Sequence, residues 1–131
     1  FGEEVIVIKA YTLETILAEK YETILRRSVL SSRPRDLYDV HTLFRLKKDQ
    51  ISTPTLKKAI ENTARRRGSS SILAHYESVV YELMDSKYQK RLWEKYQNEN
   101  SYAKGIQFND VVETVKIIGD LLKTSDSLDF H

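Results

Sequence analysis

Apolar residues recur every three or four positions from Leu13 to Leu122, in successive runs separated by short polar stretches. That spacing places each run along one side of an α-helix, not on the alternating faces of a strand. Only four glycines and two prolines interrupt 131 residues, so long regular elements are expected instead of a turn-rich β-fold. The length suits one ordinary domain.

The runs divide at recognisable signals. Thr12 offers an N-cap to a first helix carrying Leu13, Ile16, Leu17, Tyr21, Ile24 and Leu25, which ends among the serines of 28–32. Pro34 starts a second helix towards Leu46 or Lys47, with Leu37, Val40, His41 and Phe44 inward. Thr53 as cap and Pro54 as first helical residue open a third, lined by Leu56, Ala59, Ile60 and Ala64 and stopped by Gly68. Ile72, Leu73, Tyr76, Val79, Val80, Leu83 and Met84 form the clearest stripe, a fourth helix. Asp85 or Ser86 caps a fifth with Tyr88, Leu92, Trp93 and Tyr96. After the polar break at 98–105, Gln107 or Asn109 opens a last helix through Val112, Val115, Ile118, Leu121 and Leu122. Ahead of all this, Val5-Ile6-Val7-Ile8 reads as one short buried strand needing neighbours from elsewhere. The expected architecture is mainly α, about six helices bundled behind one N-terminal strand. Residues 1–10 hold the strand, 11–123 the helical domain and 124–131 a loose tail.

Composition narrows the chemistry. With no cysteine, disulfides and Cys-ligated metal centres are excluded, and a reducing cytoplasm fits. The longest aliphatic run, Val5 to Ile8, falls far short of the roughly 20 residues that span a bilayer. A formal charge of +2 does not by itself indicate nucleic acid. The three histidines, 41, 75 and 131, form no ligand pair at helical spacing; His41 reads as a core-edge residue. The chain opens at Phe1 and its one methionine is Met84, so a fragment with further sequence upstream is expected.

Two segments carry unusual charge. At 100° per residue, Lys20 falls near the centre of the stripe made by Leu13, Ile16, Leu17 and Ile24. An unpaired buried ammonium is costly, so Lys20 either snorkels to the edge of the helix contact or meets an anion in a cleft. In the second helix Asp36 and Asp39 share a side, and Arg35 stands four residues before Asp39. Taken alone, acids in a first turn and an Arg–Asp pair at that spacing are ordinary helix decoration.

Together, Ala18-Glu19-Lys20 on a helix and the later Arg33-Pro34-Arg35-Asp36-Leu37-Tyr38-Asp39 turn resemble the paired downstream motifs of the AbiEii/AbiGii toxin family. That family writes them as an A-E-K helix and an R-x-[KR]-D-x-x-D turn. Thr12-Leu13-Glu14 and Arg65-Arg66-Arg67-Gly68 add to the likeness, which is dense from Tyr11 to Leu46 and diffuse beyond. The resemblance implies the C-terminal helical part of a DNA-polymerase-β-like nucleotidyltransferase fold. It also implies a toxin of a type IV toxin–antitoxin or abortive-infection system, with NTP as substrate, RNA such as tRNA as acceptor, and an antitoxin as protein partner. Such chemistry uses Mg²⁺ held by carboxylates of a G-S…D-x-D segment. That segment is absent from these residues, and neither Glu3 nor Glu4 matches a metal ligand; the helical part alone is expected to be inactive. Carried over by position, Lys20 matches the lysine that contacts the triphosphate, Asp39 the second acid of the turn, and Asp36 and Arg35 its neighbours. Arg35 either orients Asp39 or faces a phosphate itself.

Other signals read as structure. Tyr76, Tyr81, Tyr88, Trp93, Tyr96 and Tyr102 are explained by packing between the fourth and fifth helices before base stacking is invoked. Arg65 to Arg67, with Lys47, Lys48, Lys57 and Lys58, read as a solvated face broken by acids, with an RNA-backbone contact as the minor alternative. Ser69-Ser70-Ser71 lacks the strand–turn–helix setting of a serine nucleophile. Two further functional readings stand beside the enzyme: a non-catalytic helical module binding RNA or a protein, and an unrelated all-α regulatory domain.

Overall fold

A computed structural model of the chain describes residues 12–129, with side chains through Thr124. The strand expected at Val5–Ile8, and Glu3 and Glu4, lie outside the described residues. Among those described there are six α-helices and no strand: α1 (Leu13–Arg27), α2 (Pro34–Leu46), α3 (Thr53–Arg67), α4 (Tyr76–Asp85), α5 (Lys87–Glu99) and α6 (Phe108–Asp129). Single 3₁₀ turns fill the connections at Ser28–Leu30, Lys48–Gln50 and Ser101–Ala103, and a longer one runs over Ser70–His75.

Local chemistry sets most boundaries. Thr12 accepts the Thr15 N–H and caps α1. The cap of α3 is Ser52, not Thr53. Its hydroxyl accepts from the Thr55 N–H while its own N–H is taken by the Glu14 carboxylate, which leaves Thr53 and Pro54 inside the first turn. Gly68 ends α3 in the left-handed region, at φ 70°, where a side chain is disfavoured. The stripe from Ile72 is 3₁₀ through His75 and becomes α only at Tyr76. Ser86 caps α5 by accepting from the Gln89 N–H. The α6 backbone continues to Asp129; after Lys123 no glycine or proline is present to stop it.

The helices stack around α1, α2 and α6. α1 lies against both α2 and α3, α2 also against α5 and α6, and α4 against α6. Glu14 meets Ser52 at the start of α3, and Glu22 meets Arg67 at its end, so α1 and α3 run parallel with α2 returning between them. The interior holds Leu17, Tyr21, Leu25, Val40, Leu56, Ile60, Leu83, Trp93, Val111, Val112, Val115 and Ile118, each at most 2% exposed. Long side chains tie the connections down. Gln89, itself buried, donates to the carbonyls of Val29 and Ser31, and Trp93 Nε1 donates to that of Ile106. On α6 Gly119 lies under the Tyr76 ring, a close approach that a Cβ would block.

The buried side of α1 is rotated from the one its apolar residues outline. Ile16 is exposed and Leu13 half-buried, whereas Glu14 and Glu22 are buried with Leu17, Ala18, Tyr21, Ile24 and Leu25. Lys20 therefore stands at the edge of the packed face and not at its centre.

Candidate functional site

From that edge Lys20 points across to the start of α2. Its Nζ lies 2.8 Å from Asp39 Oδ2 and 3.9 Å from Asp36 Oδ1. The ammonium remains partly open, with its side chain 29% exposed, whereas Asp36 is almost closed off. α2 supplies the rest. Asp36 and Asp39 are three residues apart on one side of the helix, and Pro34 fixes the first turn that presents them. Arg35 Nε lies 3.7 Å from Asp39 Oδ2, and Arg33 Nε 4.0 Å from Asp36 Oδ2; both arginine side chains are mostly exposed. The four residues singled out by sequence thus lie together, and Arg33 joins them. Pairings that spacing left open are settled: Lys20 bridges both acids, Arg35 flanks Asp39 and Arg33 flanks Asp36.

Three cations meet two carboxylates here, a formal excess of one positive charge. The acids lie deepest, the ammonium between them, and the guanidinium groups outermost. A carboxylate pair already bridged by an ammonium is poor ground for a metal ion. No group of three His, Cys, Asp or Glu side chains among the described residues could hold one. The arrangement instead offers exposed donors to an anion, with the acids locking the position of the lysine.

Next to this cluster stands an aromatic group that sequence reasoning assigned to packing between α4 and α5. The rings meet elsewhere, between α2, α5 and the Ser101–Ala103 turn. Tyr38 lies 4.9 Å from Tyr102 and 5.9 Å from Tyr96, centroid to centroid, and Tyr96 stacks on Trp93 at 5.6 Å. The hydroxyls of Tyr96 and Tyr102 are 2.9 Å apart. Burial raises the Tyr96 phenol well above its ordinary range, helped by the Tyr102 hydrogen bond and the Asp39 charge and opposed by Arg35. Tyr96 is thus within electrostatic reach of the charged cluster. Tyr76 belongs to the α4–α6 contact, where its hydroxyl donates to Asp120 at 2.5 Å, and Tyr81 is largely exposed.

A second charged feature escaped the sequence. Glu22 is fully buried and accepts from Arg67 Nη1 at 2.5 Å, Ser69 Oγ at 2.6 Å and Arg26 Nε at 2.9 Å. Burial alone would raise its pKa; the bonds from Ser69, Arg67 and Arg26 outweigh that and hold it below the usual carboxylate range. Its position, four residues after Ala18 and three before Leu25, was the available signal. Arg67 consequently leaves the solvated arginine face, while Arg65 and Arg66 stay on it, bonded to Asn62 and Thr63. His41 keeps its core-edge place, its Nδ1 2.7 Å from Thr114 Oγ1.

A cavity of about 600 Å³ opens between α3, the Ser70–His75 turn, α4 and α6, lined by Lys57, Ile60, Arg65, Tyr76 and Gly119 among others. None of Lys20, Arg35, Asp36 and Asp39 lines it, so the charged cluster is a separate, surface-open site. No helix among the described residues is long and apolar enough to cross a membrane.

Comparison with known proteins bears on the same residues. No curated protein and no solved structure matches the chain. A family model described as nucleotidyl transferase AbiEii toxin, type IV TA system, matches residues 1–114, which include every member of the charged cluster and its aromatic neighbours. The chain belongs to the AbiEii nucleotidyl transferase toxins of type IV toxin–antitoxin systems.

Proposed function

We propose that Lys20, Arg35, Asp36 and Asp39 form the phosphate-facing part of a site that transfers a nucleotide from NTP to RNA, with tRNA as the acceptor class. Family membership supplies the coarser frame: a toxin nucleotidyltransferase with a nucleotide substrate, a divalent metal and an antitoxin partner. The observation that carries the finer reading is the partly open Lys20 ammonium, 2.8 Å from Asp39 and within reach of Asp36. An ammonium has three N–H groups and here meets two acids, one of them at 3.9 Å, which leaves a donor to face an anion. Asp39 and Asp36 act as positioning residues that hold the ammonium in place. Lys20 and Arg35 are the groups that touch phosphate and offset its charge as pyrophosphate departs. The metal, for which we propose Mg²⁺, finds no fitting ligand set among the described residues.

The test uses the intact protein, with labelled NTP and tRNA. Lys20→Ala and Asp39→Ala should each lower nucleotide transfer by about 100-fold or more, and abolish toxicity, with helical circular dichroism unchanged. Lys20→Arg should recover part of the loss. Wild-type transfer by both folded alanine variants refutes the site; absence of transfer by the intact wild-type protein, with RNA or a protein still bound, favours a helical module that binds without catalysis.

A further inference from the structure

The aromatic group beside the charged cluster is not used by that reading, and one of its rings, Tyr102, stays half open to solvent. Tyr102 is 54% exposed although two tyrosine rings back it, Tyr38 at 4.9 Å and Tyr96 at 6.2 Å. A ring anchored by two tilted neighbours and half open to solvent can serve as a platform. Its orientation is held by the bond between the Tyr96 and Tyr102 hydroxyls, and Tyr96 is held in turn by Trp93 and by burial.

Placement relative to charge gives the platform its ligand class. On α2, Tyr38 follows Arg35 by three residues and adjoins Asp39, so Arg35 and Tyr38 are neighbours on one helix face, about 5–6 Å apart at Cβ. The Asp39 and Arg35 charges are felt at Tyr96. Exposed cations and a half-exposed aromatic ring therefore stand in one neighbourhood, joined through Tyr38. Cations that track phosphate combined with a ring that accepts a base is the pattern of nucleotide and single-strand binding.

We infer that Tyr102, backed by Tyr38 and Tyr96, stacks on a nucleobase whose phosphate is held at Arg35 and Lys20. This rests on the phosphate-facing role proposed above and adds the base-recognising half. The base belongs either to the incoming NTP or to the RNA acceptor; stacking chemistry is shared, and the experiment separates the sources. A protein-binding role would not require phosphate-competent cations beside Tyr102.

Binding is measured on the intact protein by fluorescence anisotropy with a short single-stranded RNA and an abasic oligomer of equal phosphate count. Calorimetry with CTP, ATP and inorganic triphosphate forms the second arm. Tyr102→Ala should weaken one base-containing probe by about 5- to 100-fold, leaving abasic oligomer and triphosphate unchanged. Loss on the RNA arm assigns the base to the acceptor, and loss on the NTP arm to the donor. Tyr102→Phe keeps the ring and loses the bond to Tyr96, so near wild-type binding by it supports stacking. Unchanged binding of RNA and of both nucleotides by a folded Tyr102→Ala overturns the inference. Arg35→Glu reports separately on the phosphate role: if it leaves triphosphate and abasic binding intact, the phosphate reading fails whatever Tyr102 does.

Discussion

Substituting Glu22 by glutamine removes one charge from the interior and barely changes volume, which makes the consequence calculable. The carboxylate is fully buried and collects three donors, from Arg67, Ser69 and Arg26. A hydrogen bond to a charged group contributes about 1.5–3 kcal/mol. Both arginine side chains are about one-third exposed, 32% for Arg67 and 39% for Arg26, so water takes over part of their loss. Glutamine keeps one acceptor, enough for Ser69 or Arg67, and turns an N–H₂ towards the remaining donors. Balancing these, the expected loss is about 2–4 kcal/mol, below the upper range for breaking a fully buried pair. That corresponds to a fall in Tm of roughly 8–16 °C for a chain of this length. Urea unfolding at pH 7, followed by circular dichroism and by the fluorescence of Trp93, measures it, with the m-value unchanged.

The same residue sets a pH dependence of known sign. The folded-state pKa of Glu22 is depressed, so its stabilisation is fully present above the ordinary carboxylate pKa of about 4.3. It is lost as pH falls through the lower, folded value. Wild type and Glu22→Gln should therefore differ most near neutrality and converge in acid. A difference below about 0.5 kcal/mol at pH 7, the scatter of ordinary surface changes, or a gap that stays constant into acid, refutes the reasoning.

Gly119→Ala should destabilise by about 1–3 kcal/mol, because the new Cβ would fall 2.7 Å from Tyr76 Cγ and closer still to the ring edge; a rise in Tm would show that the ring gives way. Gly68→Ala meets nothing within 4 Å and costs only the left-handed backbone, about 1–2 kcal/mol, so its cavity-free loss should persist when Tyr76 is replaced by leucine. Burial lowers the His41 pKa, with Arg45 adding to it, so the unfolded chain takes up the proton first. Stability should be level above pH about 6.5 and decline as pH falls, a decline absent in His41→Gln.

What was legible in the chain follows the range of each interaction. Thr12, Pro34, Gly68 and Ser86 act on the backbone within a few residues, and the helix limits near them match the spacing argument. The Ser70–His75 turn was not legible, because 3₁₀ and α geometry place apolar residues at nearly the same intervals. Lys20 was placed wrongly on its helix for a specific reason. Leu13 and Ile16 look inward by type, yet Glu14 and Glu22 are buried in their place, satisfied inside by Ser52 and Arg67. Exchanging them turns the buried face by about one residue's rotation of 100°. The charged cluster was found nonetheless, because its motif resemblance did not depend on that face. The Tyr38–Tyr96–Tyr102 group depends on contacts between segments some sixty residues apart, for which spacing holds no signal.

These two charged assemblies share a helix and divide its labour. Lys20 and Glu22 are two residues apart, hence on opposite sides of α1. Glu14 at the Ser52 cap and Glu22 at Arg67 grip α1 against α3 at two points, one on each side of Lys20 in the sequence. Rotation of α1 is thereby set without help from the aspartates, which are left to fix the Lys20 ammonium alone. Preorganisation of this kind predicts a dissociation between stability and activity. Asp39→Asn removes a partly exposed pair worth about 0–1 kcal/mol and should leave Tm nearly unchanged while nucleotide transfer collapses. Glu22→Gln should do the reverse, costing stability while the remaining folded protein transfers at close to the wild-type rate. Unfolding curves and transfer rates on the two variants decide it. If Asp39→Asn destabilises as much as Glu22→Gln, the Lys20 cluster is a brace between α1 and α2, and its donors are spent on holding the fold.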